Sequence, residues 1–497
     1  MSWFLGGIAF LILGYFTYGR LVEKIIGPDD RKTPALANPD GVDYVPMPLW
    51  KNMLIQLLNI AGVGPVIGVI AGIKFGKVAL LIIPLGCVLM GAVHDYIGGM
   101  ISVRDNGANL PKIIRDHLGK AYYAVFSWFL VVLLLLVVAV FINVPANLID
   151  KQFMPDVPFF WWAVGAIFVY YVVATLFPVD KIIGAVYPFF GAMLVIGSVA
   201  LAVALVAAGF KDASLLEEGA AFAAFKDGTF NAGGRSPIFP LLFVTIACGI
   251  ISGFHATQSP IVARTMKSER EGRLTFYGMM IAEGVIAMIW AAAALAIYNL
   301  DPSNLKLAPA VVLGHITTHF LGPWMGGVTV LAVVILAITS GDTALRSTRL
   351  SLSEMFNVPQ AAFAKRLAIC IPLIAIVAGL LWWSNLSADS FNKLWNYFAW
   401  GNQVLSASTL MASAVWLIKG GKKCGALVAL IPGMFMTSVV TCFILWTSAD
   451  KGQPWGLVPG GLALNVSIWI SVAVAVLFAL YAILRGRKGR ECGKGGE

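Results

Sequence analysis

Long apolar runs, separated by short polar segments, dominate the amino-acid sequence. Most runs hold about 20 residues, which is enough for a helix to cross a bilayer at a rise of about 1.5 Å per residue. The pattern therefore predicts an all-α, polytopic membrane protein with about thirteen membrane-spanning helices. Their predicted bounds are Trp3–Tyr18, Met53–Lys74, Val78–Ser102, Ala121–Val144, Phe159–Phe177, Ile182–Phe210, Phe239–Val262, Leu274–Tyr298, Pro323–Thr343, Leu367–Trp383, Leu394–Ile418, Ala426–Trp446 and Leu462–Leu484.

Two of these runs are unsuited to a continuous helix. Met53–Lys74 reads Ala-Gly-Val-Gly-Pro at its centre (61–65), and Phe239–Val262 carries two glycines between Cys248 and His255. Glycine weakens a helix interior, and proline removes a backbone donor. In hydrocarbon, irregular backbone is tolerated only where it is buried in protein or lines a cavity. For the first run, two interpretations stay open: a kinked helix packed on small residues, or a binding site.

The two interrupted runs each begin a group of five predicted helices. Because five is odd, the second group has the opposite topology, which predicts a five-plus-five inverted repeat. Paired interrupted segments in two halves are typical of a transporter's central site. We therefore expect a single membrane domain made of an N-terminal helix and cytoplasmic loop, the first repeat, the second repeat, and two C-terminal helices with a short tail, at residues 1–52, 53–210, 239–418 and 419–497.

Composition and charge support a membrane location. Hydrophobic residues make up 59% of the chain, charged residues 12%, and the mean hydropathy is +0.84, which excludes a soluble globular enzyme. The net charge of +10 could indicate a nucleic-acid partner, but most of the 35 Lys and Arg residues fall on one side of the predicted topology. By the positive-inside rule, this distribution predicts an N-terminus outside the membrane and a C-terminus inside it, and it indicates no nucleic-acid partner. We expect the first run to be a retained helix, because it lacks a basic segment and a cleavage site.

Polar residues inside the apolar runs are candidates for function. His255 lies in the second interruption beside Gln258, and we favour a position facing a cavity. Asp95, next to His94, has two open interpretations: a role in transport, or a structural role such as pairing with Arg104. Glu283 could titrate or could support an internal hydrogen-bond network.

A second polar group lies at the end of the ninth run. Thr339, Asp342, Thr343 and Arg346 recur every three or four residues and so share one helix face. Hydroxyl and carboxylate oxygens suit a small cation, although a helix cap is the alternative. In the eleventh run, Asn402 and Gln403 offer two amides beside a glycine.

The cysteines and two histidines give no metal prediction. The six cysteines show no CxxC pair, and we interpret them as packing residues. His315 and His319 have the i, i+4 spacing of a metal pair, but no third ligand is evident. We therefore predict an interfacial role for these histidines and no bound metal.

Several motifs, in order along the chain, resemble those of the carbon starvation protein A family: DGVDYVP (40–46), IAGVGPVIG (60–68), GAVHDY (91–96), CGIISGFHATQ (248–258), TSGDTALRSTR (339–349) and GNQ (401–403). The resemblance covers nearly the whole chain. It implies membership of the amino acid–polyamine–cation superfamily, with a five-plus-five core like that of the leucine transporter. It also implies uptake of peptides or pyruvate during nutrient limitation.

From these features we expect a secondary transporter that imports a small carboxylate or a short peptide by alternating access, rather than a channel or a membrane-embedded enzyme. No P-loop motif, which would indicate an ATP-driven pump, is present, and no cofactor is expected. Coupling by Na⁺ would use Ala61, Gly64, Thr339 and Thr343, whereas coupling by H⁺ would use Asp95, His255 or Asp342. The sequence leaves the coupling ion, the substrate, the stoichiometry and the oligomeric state open. The predicted substrate-binding residues are Gly62, Val63, Gly64, Pro65, Gly253, Phe254, His255, Gln258, Asn402 and Gln403.

Overall fold

The computed structural model describes residues 1–41, 44–154, 156–176, 179–226, 237–358, 363–451 and 456–494. These residues form helices and connecting segments, with no strand among them. Nine of the described helices are long and apolar enough to cross a membrane, or ten if one bent pair counts as a span. The prediction of an all-helical polytopic membrane protein is confirmed. The number thirteen and the repeat architecture stay predictions.

The first half of the chain contains twelve α-helices within the described ranges. They are α1 (Ser2–Phe16), α2 (Tyr18–Ile26), α3 (Pro34–Ala37), α4 (Leu49–Ile60), α5 (Val69–Gly72), α6 (Val78–Gly86), α7 (Ala92–Arg104), α8 (Leu110–Leu118), α9 (Lys120–Leu148), α10 (Phe160–Leu176), α11 (Val179–Lys211) and α12 (Ala220–Lys226).

The described part of the second half adds nine more. They are α13 (Phe243–Thr245), α14 (Ala247–Ile250), α15 (His255–Ala263), α16 (Met279–Leu300), α17 (Pro309–Met355), α18 (Phe363–Ser384), α19 (Ala388–Lys419), α20 (Leu427–Trp446) and α21 (Leu464–Lys494).

Helical structure is present at each predicted run, but three runs are not among the candidate spans even when the bent pair is counted as the tenth. The fifth run forms a shorter apolar helix, Phe160–Thr175, and the seventh is divided among α13, α14 and α15. The eleventh corresponds to α19, which the count does not include. The second run is the bent pair, in which Leu49–Ile60 and Gly64–Phe75 meet at an angle of 53°.

The span that contains α16 is the most enclosed of the candidate spans, because 89% of the residues in its apolar stretch are buried. Helices α1, α6 and α17 pack around it, and so do the bent second run and the divided seventh run. We name these two interrupted runs the broken spans. Helix α17 runs for 47 residues and turns at Gly322, where φ is +73°. Only glycine adopts this backbone conformation readily, so the turn divides α17 without ending it. The enclosed position of α16 makes any ionisable group on it a buried one.

The segment between α2 and α4 is bonded to the end of the bundle at which α15 finishes. Met47 donates its N–H to the Thr265 carbonyl (2.9 Å), and the Thr33 hydroxyl donates to the Met266 carbonyl (2.6 Å). Arg104 forms an ion pair of 2.9 Å with buried Glu269. At the surface, a hydrogen bond from Arg270 lowers the pKa of Asp30, which keeps this carboxylate ionised. These bonds close this end of the bundle.

Candidate functional site

The first interruption forms at the glycines and the proline that the sequence predicts. Helix α4 ends at Ile60, and the chain resumes as a wider, π-helical turn over Gly64–Gly68. A Cβ atom on Gly64 would lie 2.1 Å from the Cβ of Cys248, so the two broken spans touch at this glycine. The kinked backbone packed on small residues that the sequence predicts is therefore present, and a binding site at this interruption stays a prediction.

The second interruption lies between α14 and α15. Ile251 is extended (φ −170°, ψ 135°), and helical structure resumes at His255. A Cβ atom on Gly253 would lie 2.4 Å from the Asn402 carbonyl oxygen, so α19 approaches the interruption closely. Only a residue without a side chain permits this approach.

Asn402 and Gln403 supply the hydrogen bonds that the interrupted helix lacks. The Asn402 carbonyl accepts from the Gly253 N–H (3.2 Å), and its Oδ1 accepts from the Phe254 N–H (2.7 Å). Gln403 Nε2 donates to the Ile251 carbonyl at 3.0 Å. Buried backbone groups need such partners, and the amides of α19 provide them. The N–H groups of Gly253 and Phe254 therefore already have acceptors and are not open to a substrate carboxylate in this structure.

Four ionisable side chains form a continuous buried chain beside this interruption. His94 and Asp95 lie on α7, His255 begins α15, and Glu283 lies on α16; each is at most 1% exposed. Asp95 lies between the two imidazoles, with 2.8 Å from Oδ1 to His94 Nδ1 and 2.9 Å from Oδ2 to His255 Nδ1. On its other side, His255 Nε2 lies 3.6 Å from Glu283 Oε2. We name these four residues the His–Asp–Glu chain.

The contacts within the His–Asp–Glu chain differ in length. The two contacts of Asp95 have hydrogen-bond distances, whereas 3.6 Å between His255 and Glu283 is longer than a hydrogen bond. Among the described residues, both Glu283 oxygens and both Nε2 atoms lack a hydrogen-bond partner. A buried charge without compensation costs free energy, so these groups favour shared protons or water. The proposed pairing of Asp95 with Arg104 is wrong, because Arg104 pairs with Glu269.

A stripe of buried amides lies on α4, which packs against α15 and α16. Asn52, Gln56 and Asn59 recur at helical spacing and are at most 1% exposed. Asn52 accepts a hydrogen bond of 2.7 Å from the Thr265 hydroxyl just beyond α15, whereas both polar atoms of Gln56 and of Asn59 lack partners among the described residues. Gln258 on α15 donates to the Thr257 hydroxyl, and its Oε1 is also without a partner there. Gln56 and Asn59 were not among the candidates predicted from the sequence, whereas Glu283 was named without a settled role and His94 only as the neighbour of Asp95. Their position as polar residues within apolar runs was the available signal for Gln56 and Asn59.

The polar face of α17 forms a second, separate group. Asp342 Oδ2 accepts a hydrogen bond of 2.7 Å from the Tyr170 hydroxyl on α10, and Arg346 donates to the Ala174 carbonyl (2.6 Å). Thr339 and Thr343 donate their hydroxyls to carbonyls of their own helix, at Leu336 (3.0 Å) and Ser340 (2.9 Å).

Helix α17 also lies against the first interruption. A Cβ atom on Gly62 would lie 3.5 Å from the Ser340 hydroxyl, which donates to the Leu58 carbonyl at 3.5 Å. Ala61, where α4 ends, is fully buried. The predicted sodium residues are therefore on neighbouring elements. His315, predicted to be interfacial, contacts the side-chain amide oxygen of Asn304 at 2.6 Å.

A multi-pass helical bundle with two interrupted helices and buried ionisable groups is typical of membrane transporters. The sequence model described as Carbon starvation protein CstA matches residues 1–163, 150–319 and 310–443. The chain belongs to the carbon starvation protein CstA family.

Curated relatives extend this comparison. An uncharacterized membrane protein of Haemophilus influenzae is 43% identical over 62% of this chain and 93% of its own length. The peptide transporter CstA of Bacillus subtilis is 24% identical over 89% of each chain. The pyruvate/proton symporter BtsT of Escherichia coli is 28% identical, over 54% of this chain and 45% of its own length. The family and the two relatives that are named as transporters support a membrane transporter rather than an enzyme.

Solved structures show the fold alone. The crystal structure of a manganese transporter from Eremococcus coleocola superposes with a TM-score of 0.54 over 91% of this chain and 99% of that chain, at 12% sequence identity. A second structure of that transporter, in complex with an aromatic bis-isothiourea substituted compound, gives a TM-score of 0.52 at 14% identity.

Proposed function

We propose that this protein is a proton-coupled secondary transporter that imports a small carboxylate or a short peptide by alternating access. The observation that carries the proposal is the His–Asp–Glu chain, which joins α7, α15 and α16 directly beside the second interruption. The name of one relative, a pyruvate/proton symporter, and the names of others, peptide transporters, support the substrate classes and the ion.

Histidine is the side chain best suited to carry this proton. Its ordinary pKa of about 6.5 allows it to bind and release a proton near neutral pH. Protonated His255 would carry a positive charge between the carboxylates of Asp95 and Glu283, and both would then be stabilised. Loss of the proton leaves two buried carboxylates around a neutral ring, which is unfavourable. The proton therefore controls how closely α7, α15 and α16 are held together.

Movement is expected to follow because His255 is the first residue of α15. The interruption at 251–254 precedes it and is held by Asn402 on α19. A change in the attraction between His255 and its two carboxylates acts on α15 directly at the interruption of the span. The two halves of each broken span can then rock against the bundle while the central site stays fixed.

We place the substrate beside the first interruption, around Gly62–Pro65, with Gln258 as a polar contact. The amides of Gln56 and Asn59, which have no hydrogen-bond partner within the described part of the chain, extend this polar surface. Phe254 packs edge-to-face on Phe141, with 6.1 Å between ring centroids, and would form an apolar wall. Asn402 and Gln403 act here by holding the second interruption in shape.

The proposed transporter core is an inverted repeat. The two groups of five helices would form an inverted repeat like that of the leucine transporter, as the amino acid–polyamine–cation superfamily has it. The likeness to the manganese transporter supports a shared transporter fold. The positive-inside bias supports an N-terminus outside and a C-terminus inside in the inner membrane. Sodium at Ala61, Gly64, Thr339 and Thr343 is the alternative to proton coupling.

Purified protein in proteoliposomes tests the proposal. Labelled pyruvate and a labelled dipeptide are offered separately, with either an inward proton gradient or an inward Na⁺ gradient. We expect accumulation of one substrate above its external concentration with the proton gradient, and collapse of that accumulation on adding a protonophore. Accumulation with the Na⁺ gradient alone would contradict proton coupling. Equilibration without accumulation under either gradient would instead favour a channel.

A further inference from the structure

A cavity of about 500 Å³ opens between the two broken spans, at the end of the bundle opposite the segment between α2 and α4. Ile67 and Ala71 of the first span, and Val244 and Thr245 of the second, form one side. Helices α9, α17 and α19 complete its lining. The volume lies within the range of about 300–1,000 Å³ that is usual for small-molecule sites.

The two ends of the bundle therefore differ. At the end where α15 finishes, Met47 and Asn52 are bonded to Thr265, and Arg104 is paired with Glu269. At the other end, the cavity lies between the outer halves of the two broken spans. Access from that side and closure on the opposite side are what one state of an alternating-access transporter requires. By the positive-inside prediction, the open side faces outside.

The lining of the cavity combines a positive charge with an aromatic wall. Asn147 lies near the end of α9, Lys151 lies in the π-helical turn that follows it (Ile149–Phe153), and both line the cavity. On α19, Phe391 and Trp395 have i, i+4 spacing, and Asn396 adds an amide. Apolar residues make up most of the remaining wall, which is typical of a site with a few orienting polar groups.

Lys151 is placed to bind an anion. It is exposed and forms no ion pair within the described residues. The neighbouring carboxylate, Asp150, accepts a hydrogen bond from the Phe159 N–H (2.9 Å). Lys74, at the same end, donates to the Leu307 carbonyl at 3.1 Å and does not line the cavity. The ammonium of Lys151 is thus the cationic group of the lining.

We propose that this cavity is an outer vestibule in which Lys151 captures the carboxylate of an incoming substrate whose apolar body lies against Trp395 and Phe391. The inference rests on the proposed function and deepens it, because it selects a carboxylate attached to an apolar body, such as the C-terminus of a short apolar peptide. Pyruvate would occupy only a small part of the volume. The vestibule lies before the central site, so its occupant moves inward when the halves of the broken spans rearrange.

Charge-selective labelling tests the vestibule without any transport. Asn396→Cys is treated, in sealed right-side-out vesicles, with methanethiosulfonate reagents that carry either a sulfonate or a quaternary ammonium group. Rates are corrected for the chain with Asn396 intact, because it contains native cysteines. Two unit charges about 4 Å apart in water interact by about 1 kcal/mol, or roughly fivefold in rate. We expect Lys151→Gln to slow the sulfonate reagent by about that factor and not to slow the cationic one.

Two further variants control the interpretation. Lys306→Gln removes an equal charge from an exposed position outside the cavity lining and should change neither rate. Lys151→Arg should restore the preference for the sulfonate. A dipeptide of apolar residues should protect the thiol introduced by Asn396→Cys from either reagent, whereas the same dipeptide with its C-terminal carboxylate amidated should protect that thiol less.

Transport kinetics give the second measurement. Lys151→Gln should raise the KM for the apolar dipeptide severalfold while leaving the maximal rate unchanged. Labelling that is equal for both reagents, or that occurs only after the vesicles are permeabilised, would overturn the vestibule even if wild-type uptake is proton-driven. Selective and protected labelling in a protein without gradient-driven uptake would support the vestibule and contradict the proposed function alone.

Discussion

Two buried aspartates, Asp95 and Asp342, lie in helices of this bundle, and their partners differ. Asp95 lies between the imidazoles of His94 and His255 at 2.8 and 2.9 Å. Asp342 accepts one hydrogen bond of 2.7 Å from the Tyr170 hydroxyl. Both carboxylates are 1% exposed, so the difference between them is one of partners and not of burial.

This difference indicates which aspartate can take part in proton movement. Histidine commonly shuttles protons in proteins, and Glu283 beyond His255 extends the chain of acceptors. A tyrosine hydroxyl has an ordinary pKa of about 10, so it donates a hydrogen bond without exchanging charge in the physiological range. We therefore expect Asp95 to act in coupling and Asp342 to hold α10 against α17.

Asp95→Asn should have the largest effect. The substitution keeps the shape of the side chain but removes the charge that both histidines face. A carboxylate this close favours protonated histidine by about tenfold to a thousandfold, so proton-driven uptake should fall by about a hundredfold. Exchange of labelled for unlabelled substrate, which needs no net proton movement, should continue. Both are measured in proteoliposomes.

Asp105→Asn is the matched control for this variant. Asp105 ends the same helix, α7, but lies outside the His–Asp–Glu chain, 3.8 Å from His117. Its neutralisation should leave the accumulation ratio unchanged. Retention of full proton-driven accumulation by Asp95→Asn would show that the coupling proton uses another group, and the comparison of the two aspartates would lose its basis.

Glu283→Gln should have an intermediate effect. The contact between Glu283 and His255 is 3.6 Å, longer than a hydrogen bond, so its loss should perturb the histidine less than the loss of Asp95. Uptake should persist at a reduced rate, and its dependence on external pH between about 5 and 8 should flatten. A pH profile identical to that of the wild type would exclude Glu283 from the chain of acceptors.

The sequence predicted the elements of this site better than their contacts. Glycine and proline act locally, so both interruptions could be located from Gly62, Pro65 and Gly253. The joining of Asp95 to His255 depends on how α7 packs against α15, over a separation of 160 residues, and no local pattern encodes it. For the same reason, Asn402 was predicted to contact substrate, whereas in the structure it completes the backbone of the second interruption.

Asp342→Asn should have a smaller effect on coupling than either change in the His–Asp–Glu chain. The amide oxygen can still accept from Tyr170, but the charge that faces Arg346 is lost. Loss of a charged hydrogen-bond partner costs about 1.5–3 kcal/mol, so the melting temperature of the purified protein should fall. The accumulation ratio driven by the proton gradient should stay near the wild-type value. Loss of accumulation in a protein with unchanged thermal stability would assign coupling to Asp342.

Tyr170→Phe should have the smallest effect of the four. It removes one hydroxyl from the partly buried contact between α10 and α17 and leaves the Asp342 carboxylate in place. A typical hydrogen bond contributes about 0.5–1.5 kcal/mol, and the charge of Asp342 that faces Arg346 is unchanged. We expect a small decrease in melting temperature and no change in the pH profile of uptake. A changed pH profile would mean that the phenol exchanges protons with Asp342, and the two aspartates would then belong to one proton pathway instead of one coupling group and one structural contact.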